Sequence, residues 1–482
     1  MACDEACKKP EHTSNGAENE KPSLEYQFAT TTTLHGIGRV AESSGARAKI
    51  PWILALLVAS GVYVYVTADR IQAYLKYEAN TNVIIEFNKT LAFPAVTICN
   101  YNRFMKYRID DDDKKYVSRL LRVEEYLSDY DYQDFNFSQI DDDFNYTNFA
   151  LSSGFLLEDS LHECSWKGGD KSCDASNFSS YYSPTFGQCY TFNGPGENRK
   201  IYAQSRQGIG NGLRLIIDIR QPDYTETYES GHVEAGLKFA IHPPDELPLI
   251  DTMGLSAAPG LHTYASMRLV RHINLPKPWG VCGTEEAEEE PMKYSRNTCL
   301  RNCRRDAIIL KCSCQPLGHE KAYRPDSDRP SPVRHCDIDD FRCVRDALRI
   351  HRASSLGPDC VCPVACDYVT YETTLSSAIY PSQSVIKAAI SDIGDVSSND
   401  DIEYVKANMV YLDVYYTDLS TITYEQVQAL PFTALLGDLG GQLGLFLGAS
   451  VLTAMEIMDY ITRRLQLLIK RVKSRKKVQN GT

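Results

Sequence analysis

The sequence lacks an excess of basic residues and lacks the common catalytic motifs. Its 482 residues include 51 Lys and Arg against 63 Asp and Glu, which gives a formal net charge of −12. This balance argues against nucleic acid as a partner, because nucleic-acid-binding domains carry basic patches. No Gly-x-Ser-x-Gly, His-Glu-x-x-His or phosphate-binding loop occurs, and Gly208, Gly210 and Gly212 precede a strand-like run instead of following one. We therefore do not expect an enzyme, a cofactor or a resident metal.

The charges are unevenly distributed along the chain. Residues 1–49 carry a net −1 and residues 461–482 carry +8, which leaves −19 for the region between them. An acidic body with a basic end is typical of a membrane protein whose termini face the cytosol and whose bulk lies outside. The basic end could, by itself, also bind nucleic acid. Beside a membrane span, a cytosolic or anionic-lipid-facing role is favoured.

Two long uncharged runs predict membrane spans. The first, 50–68, has 19 residues without a charge, close to the ~20 needed to cross a bilayer. It lies far from the start of the chain and ends rich in Tyr, so an uncleaved anchor is favoured over a signal peptide or a buried core helix. The second run, 439–455, is followed by only Glu456 and Asp459 before Arg463.

The second run contains a helix-packing motif beside acidic residues. Gly440, Gly444 and Gly448 recur every fourth residue, a pattern that lets helices approach closely, here copies of this segment. Acidic residues at this depth usually face a water-filled path or a partner helix. Basic residues precede the first run and follow the second, so the positive-inside rule predicts cytosolic termini and about 370 residues outside.

The cysteines follow the same topology. Of 16 cysteines, only Cys3 and Cys7 precede the first run, and the other fourteen lie between the two runs. An even number in an oxidising compartment predicts up to seven disulfides, although the sequence alone leaves their pairing open. Close pairs such as Cys312-Ser-Cys314 could instead bind zinc, an alternative that an extracellular position disfavours.

The region between the runs predicts mixed α and β structure. Apolar residues alternate over 410–417 and β-formers fill 213–219, so both are predicted strands. The cysteine-dense stretch 282–366 has helical spacing and is predicted to be a helical unit stapled by disulfides. The acidic part near 105–180 predicts an exposed lobe. N-glycosylation sequons begin at Asn88, Asn136, Asn145 and Asn177.

Three motifs, taken in order, resemble those of one channel family. They are His35-Gly36 before the first run, Phe93-Pro-Ala-Val-Thr-Ile-Cys-Asn100 after it, and Gly448-Ala449-Ser450 within the second. Together with the cysteine series they resemble the degenerin, epithelial sodium channel and acid-sensing ion channel family over nearly the whole chain. The short ends look most like its acid-sensing and bile-acid-sensitive branch.

This resemblance implies a membrane α+β protein in the plasma membrane. Each subunit would have two transmembrane helices and a large, disulfide-rich, hand-shaped extracellular domain. Three subunits, identical or mixed with related ones, would surround one pore that is selective for sodium ions and blocked by amiloride.

The resemblance also implies a layout for the chain. The parts are a cytosolic N-terminus (1–49), a first transmembrane helix (50–70), an extracellular domain (71–430), a second transmembrane helix (431–460) and a basic cytosolic tail (461–482). The parts of the extracellular domain are a finger (101–190), a thumb (282–366) and palm strands in 71–100, 213–220 and 367–418.

The pore residues that the resemblance implies come from both ends of the chain. Gly448-Ala449-Ser450 would be the selectivity filter, because small residues let three segments meet on an axis and offer oxygen atoms to an ion. The His35-Gly36 loop would fold back into the inner pore. Further pore-lining or gate positions would be Ala434, Asp438, Glu456 and Asp459. The alternative is that the glycines serve helix packing alone.

The family's disulfide pattern would pair all fourteen outer cysteines. The implied pairs are Cys99–Cys189, Cys164–Cys173, Cys282–Cys366, Cys299–Cys362, Cys303–Cys360, Cys312–Cys343 and Cys314–Cys336. Spacing alone could not select this pattern.

In acid-sensing members of the family, crowded carboxylates take up protons because each raises the pKa of its neighbours. The candidates in this sequence are Asp223, Glu226, Glu229, Asp346 and Asp413. The match is partial, because arginines stand at 345 and 349, where relatives place two aspartates, and the histidine usual outside the first span is absent. At the implied subunit boundary, position 206 keeps a basic residue, Arg206.

Opening by extracellular protons is therefore the leading expectation, with a peptide, a bile acid or constant activity as alternatives within the family. An ATP-gated trimer also has two spans and a cysteine-rich ectodomain, but it lacks the His-Gly and Gly-Ala-Ser motifs. A membrane-anchored receptor without a pore is a remoter alternative.

Overall fold

A computed structural model gives the fold. It describes residues 23–111, 113, 144–167, 170–194, 201–226, 232–283, 294–318, 332–353, 361–385 and 399–479. The predicted site residues Asn136, Glu229 and Cys360 lie outside these ranges. The chain divides into two units, a smaller one that combines 1–79 with 428–482, and a larger one of 80–427.

Helices form most of the smaller unit and are scattered through the larger one. In chain order they are α1 (Leu24–Thr31), α2 (Ile37–Glu42), α3 (Ala46–Leu75), α4 (Tyr146–Ser152), α5 (Leu157–Ser160), α6 (Ile250–Met253), α7 (Arg296–Cys312), α8 (Phe341–Ala353), α9 (Asn399–Asn408), α10 (Phe432–Leu447) and α11 (Val451–Gln479).

Strands dominate the larger unit. They are β1 (Ala79–Phe87), β2 (Leu91–Ala92), β3 (Ala95–Asn100), β4 (Leu161–Trp166), β5 (Lys171–Ser172), β6 (Phe178–Ser183), β7 (Gly187–Phe192), β8 (Ala203–Gln204), β9 (Leu213–Asp218), β10 (Leu237–His242), β11 (Leu255–Ala257), β12 (Leu261–Ile273), β13 (Asp367–Ile379) and β14 (Met409–Gln428). One sheet has the order β13-β12-β14-β9-β4-β5, with β1 on β14, and a second has the order β11-β10-β3-β7-β6.

Strand β14 lies at the centre of the first sheet, where the sequence predicts a strand with one apolar face. It runs parallel to β12 and antiparallel to β9, so that Asp413 stands opposite both Tyr264 and Arg214. Its fully buried apolar residues are Val410, Leu412, Val414 and Tyr416. Alternation along the strand produces this buried face, because successive side chains point to opposite sides.

Aromatic side chains fill the core of the larger unit. The ring of Phe93 lies 4.5 Å from that of Trp166 and 6.3 Å from that of Tyr416, both edge to face. One hydrophobic cluster includes residues from both sheets. Such offset aromatic contacts add stabilisation beyond the apolar area that they bury.

Disulfides fasten the strands and the helical unit. The bonded pairs are Cys99–Cys189, Cys164–Cys173, Cys282–Cys366, Cys299–Cys362, Cys312–Cys343 and Cys314–Cys336. Cys303 is also disulfide-bonded. The sulfur atoms of Cys299, Cys303 and Cys362 lie within 4.8 Å of one another. Zinc binds cysteine as thiolate, so oxidised sulfurs do not form the zinc site considered from the sequence.

Helix α3 contains the first uncharged run and is longer than the run. Within the described residues it is the helix that by itself is long and apolar enough to cross a membrane. It continues to Leu75, so the segment predicted as palm from residue 71 begins in a helix, and the first strand begins at Ala79. The reason is local: after the uncharged run the sequence keeps good helix formers and has no Gly or Pro before the helix ends.

The second uncharged run, predicted as a transmembrane helix over 431–460, is a helix broken into two parts. Helices α10 and α11 meet at a bend of 69°. Taken together, they are long and apolar enough to cross a membrane. The break lies at Gly448, whose φ of 66° is left-handed, and its N–H donates a hydrogen bond to the Gly444 carbonyl at 2.9 Å. Glycine ends helices in this way because it has no Cβ to clash.

Candidate functional site

The break between α10 and α11 contacts the segment that precedes α2. The His35 N–H donates a hydrogen bond to the Leu447 carbonyl at 2.9 Å. A Cβ added at Gly448 would lie 2.4 Å from the His35 ring, so only glycine fits against that ring. Gly36 also has a left-handed φ, of 81°, and caps α2. Two glycines in left-handed conformations, which residues with a Cβ rarely adopt, therefore allow the two motifs from opposite ends of the sequence to touch.

Ser450 stands at the start of α11 and is fixed by its own helix. Its N–H donates to the Thr453 Oγ1 at 2.9 Å, and the Thr453 N–H donates back to the Ser450 Oγ at 3.4 Å. This reciprocal arrangement resembles a capping box, which satisfies amide groups at a helix start. The Gly448-Ala449-Ser450 segment is thus an ordered connection between two helices.

Glu456, one turn further along α11, binds the N-terminal segment. Its Oε2 accepts hydrogen bonds from the Thr32 hydroxyl at 3.0 Å, the Thr33 N–H at 2.9 Å and the Thr33 hydroxyl at 3.3 Å. These threonines were not among the predicted site residues. A run of four threonines at 30–33, next to His35-Gly36, was the available signal.

The other two acidic residues predicted for the pathway pair with arginines. Asp459 accepts from Arg463 one turn along the same helix, with Nε and Oδ2 2.9 Å apart. The Asp438 Oδ2 lies 3.8 Å from the Arg70 Nε of α3. Both pairs are largely exposed, so each contributes little to stability.

Three glycines of α10 lie on a surface that no described residue covers. A Cβ added at Gly437, Gly440 or Gly441 would meet nothing within 4 Å. Ala434, the predicted gate position, is exposed on the same helix. This open, small-residue surface is of the kind that allows close approach of another helix.

Asp413 is the most buried of the predicted proton-sensing carboxylates, with no exposed surface. The Gly210 N–H donates to its Oδ2 at 3.0 Å, and the Arg214 Nη2 lies 3.8 Å from the same oxygen. Its Oδ1 has no hydrogen-bond partner among the residues that the structure describes. Burial raises the pKa of the Asp413 carboxyl to about 6, although Arg214 and the Gly210 N–H oppose the shift. This carboxyl is therefore poised to gain a proton just below neutral pH.

An imidazole lies on the neighbouring strand β12, two residues before Tyr264, which stands opposite Asp413. The His262 ring stacks on Tyr411 with centroids 3.6 Å apart and on Tyr264 at 3.9 Å. Burial, aided by the charge of Arg214, lowers the pKa of His262 to about 4. The sequence analysis missed both His262 and Arg214, because their proximity depends on strand register.

Asp223 and Glu226 lie in a different polar cluster. The Glu226 carboxylate binds Arg103 through two contacts, at 2.7 and 3.2 Å, and both side chains are only 2% exposed. Asp223 lies 3.3 Å from Arg220. Asn102 holds the loop, since its Oδ1 accepts the Glu226 N–H at 3.2 Å. None of these bonds reaches Asp413, so the described residues contain two separate acidic sites instead of one.

The remaining predicted positions lie on the surface. Asp346 is half exposed in α8, with its Oδ1 3.5 Å from the Arg345 Nε. Arg206 is exposed, and its carbonyl accepts a hydrogen bond from Gln204 at 2.6 Å. Of the sequon asparagines, Asn88 and Asn145 are exposed and Asn177 is half-buried.

Comparison with known families now gives the class of protein. The family described as "Amiloride-sensitive sodium channel" matches residues 28–460, which include the His-Gly loop, both uncharged runs and the whole larger unit. The chain belongs to this family of sodium channels.

Individual relatives come from two named groups. The bile acid-sensitive ion channel of Rattus norvegicus is 29% identical over 456 residues, which cover 92% of this chain and 88% of that protein. Acid-sensing ion channel 1A of Danio rerio is 32% identical over 463 residues, with 92% and 88% coverage. Acid-sensing ion channel 4-B of Danio rerio is 32% identical over 473 residues, with 94% and 78% coverage.

Proposed function

We propose that this chain is a subunit of a sodium-selective, amiloride-sensitive cation channel of the plasma membrane that extracellular protons open. The observation that carries the proposal is the helix broken at Gly448-Ala449-Ser450, with the His35-Gly36 loop bonded against the break. Helix α3 is one membrane span, and α10 with α11 is the other. Both termini lie in the cytosol, and residues 71–430 lie outside with the finger, thumb and palm set out above.

Exposed apolar surface supports an assembly of three copies in a bilayer. Leu57 and Tyr65 of α3 are 65% and 74% exposed, and such side chains need lipid or another helix around them. Strand β1 is exposed along its whole length although Val83 and Phe87 are apolar. We propose that lipid covers α3 and that further subunits cover β1 and the glycine face of α10.

Small residues at the break suit a filter. Three copies of Gly448-Ala449-Ser450 can approach an axis closely and offer oxygens in place of part of an ion's hydration shell. The carboxylates of Glu456 and Asp459 make the path attractive to cations and unattractive to anions.

Asp413 supports opening by protons. Its carboxyl is ionised at neutral pH and becomes neutral as the pH falls through about 6, which removes its attraction to Arg214. The residue lies in β14, and that strand leads directly to α10 through residues 429–431. Neutralisation at Asp413 therefore acts on the strand that ends at the proposed gate helix.

The test is expression in oocytes under voltage clamp. A step of external pH from about 7.5 to about 5 is expected to give an inward sodium current that amiloride blocks. Asp413→Asn is expected to weaken the response, while the surface variant Asp346→Asn keeps it. A reversal potential that does not move when external sodium is replaced would contradict a channel and favour a receptor.

Bile acid is the second candidate stimulus, because a 29% identical relative is named as a bile acid-sensitive channel and the thumb has Arg345 and Arg349 where acidic residues were expected. Current evoked by a bile acid at neutral pH, with no response to acid, would favour it. Activation by peptides or a constant current are further outcomes of the same recording.

Ala434 gives an independent test of the gate. We expect Ala434→Phe to raise the resting sodium current, because a bulky side chain cannot repack where copies of α10 meet. Ala434→Gly is the matched control and should leave the resting current low. An unchanged current with Ala434→Phe, at normal surface expression, would contradict this gate assignment.

A further inference from the structure

Two threonine hydroxyls lie between the Glu456 carboxylate and the backbone of Ser450. The Thr33 Oγ1 is 3.3 Å from the Glu456 Oε2 and 2.6 Å from the Thr453 Oγ1. The Thr453 Oγ1 accepts the Ser450 N–H at 2.9 Å. Thr453 is fully buried although its neighbours in α11 are exposed, so its hydroxyl depends on these contacts for hydrogen bonds.

The direction of this hydrogen-bond chain is fixed by its two ends. A backbone N–H can only donate, and an ionised carboxylate can only accept. The Thr453 hydroxyl therefore accepts from Ser450 and donates to Thr33, and the Thr33 hydroxyl donates to Glu456. Hydrogen bonds aligned in one direction polarise one another. The negative charge of Glu456 is thereby linked to the amide of Ser450.

The hydrogen bonds to the Glu456 carboxylate involve one of its two oxygens. All three of its hydrogen bonds end on Oε2. Among the described residues, no donor binds Oε1. A carboxylate held through one oxygen presents the other in a fixed position, which suits contact with a hydrated cation.

We propose that Thr33 and Thr453 are positioning residues for ion selectivity. They hold the Glu456 carboxylate and the Ser450 amide at a fixed separation, so that the charged ring and the filter act as one unit. This inference rests on the proposed function, since it assigns to the N-terminal segment a part in the same pathway. It also distinguishes the threonines of the run at 30–33 from one another, because the Thr33 hydroxyl binds Glu456 and the Thr31 hydroxyl does not.

The test measures the sodium to potassium permeability ratio from reversal potentials. Thr33→Val and Thr453→Val keep the shape of the side chain and remove the hydroxyl. Each is expected to lower the ratio about fivefold, the size of effect of one lost hydrogen bond. Thr33→Ser and Thr453→Ser, which restore the hydroxyl, are expected to stay within about twofold of the wild-type ratio.

Two threonines nearby provide matched controls. The Thr31 hydroxyl donates to the Gln27 carbonyl within α1 at 2.8 Å, and the Thr462 hydroxyl donates to the Met458 carbonyl within α11 at 2.7 Å. Thr31→Val and Thr462→Val remove a hydroxyl from the same elements without touching the chain to Glu456. Both are expected to leave the permeability ratio unchanged.

A double substitution tests whether Glu456 is the end of the chain. In a Glu456→Gln background, Thr33→Val should change the ratio much less than it does alone, because contacting residues act non-additively. A sodium-selective wild type whose ratio is unaffected by both valine variants, at normal surface expression, would overturn the inference alone. A wild type without sodium current under any stimulus, with Ala434→Phe also silent, would overturn the proposed function and this inference with it.

Discussion

Two buried carboxylates in the larger unit differ in one respect, the completeness of their partners. Glu226 has a bidentate guanidinium at 2.7 and 3.2 Å. Within the described part of the chain, Asp413 has one amide N–H, a more distant guanidinium and one oxygen without a hydrogen-bond partner. Burial raises the pKa of Asp413 to about 6. The comparison teaches that a buried carboxylate has a full set of partners at Glu226 and an incomplete set at Asp413, where burial then raises the pKa.

The largest loss of stability is expected when the counter-charge of the buried Glu226 carboxylate is removed. Arg103→Met should destabilise the protein by about 3–5 kcal/mol, because it leaves the Glu226 carboxylate buried without its counter-charge. The unfolding temperature of the detergent-solubilised protein measures this loss. The matched control is Arg271→Met, whose pair with Asp367 is about half exposed and should contribute less than about 1 kcal/mol.

A second change at the same site sharpens the comparison. Adding Glu226→Leu to Arg103→Met should recover most of the lost stability, because two apolar side chains need no counter-charge. If the double variant is no more stable than Arg103→Met, the ion pair is not the source of the loss.

Removing the charge of Asp413 should stabilise the protein, whereas removing the counter-charge of Glu226 destabilises it. The pKa of Asp413 is raised from 3.8 to about 6, so its contribution to stability is fully present below about pH 4 and is lost as the pH rises through 6. Asp413→Asn should therefore be up to about 3 kcal/mol more stable than the wild type at neutral pH and no more stable at pH 4. Unfolding temperatures measured across this range test the sign. A gain of equal size at both pH values would contradict the titration.

The smallest expected effect on stability concerns His262, which stacks on Tyr411. Its pKa is lowered from 6.5 to about 4, so the neutral ring stabilises the fold above pH 6.5 and this contribution is lost as the pH falls towards 4. His262→Gln should reduce the loss of stability in acid while leaving neutral stability nearly unchanged. The control His162→Gln alters an exposed ring and should not change the loss of stability in acid.

Local patterns predicted much of the fold, while the pairing of distant residues did not follow from them. Alternation predicted β14, a run of β-forming residues predicted β9, and helical spacing predicted the cysteine-rich helices. The break at Gly448 was missed because hydropathy does not distinguish a continuous span from two helices joined by a glycine. Arg103 and Glu226, 123 residues apart, meet only through tertiary structure.

The candidate site was predictable to a similar degree. Resemblance to a channel family pointed to His35-Gly36 and Gly448-Ala449-Ser450, and the left-handed conformations of Gly36 and Gly448 explain why glycine stands at those two positions. The five acidic candidates could not be sorted by sequence, since whether Asp413 faces Arg214 depends on the register of β14 and β9. Proximity along the chain brought Asp223 and Glu226 near each other but did not bring Asp413 to them.

The bond between Thr32 and Glu456 joins positions separated by 424 residues. During translation the N-terminal segment is made first, and almost the whole polypeptide must follow before its acceptor, Glu456, is made. The contact between the two ends of the sequence is thus completed last, after all the residues between them have been made. A chain terminated before Glu456 leaves the donors on Thr32 and Thr33 without this acceptor.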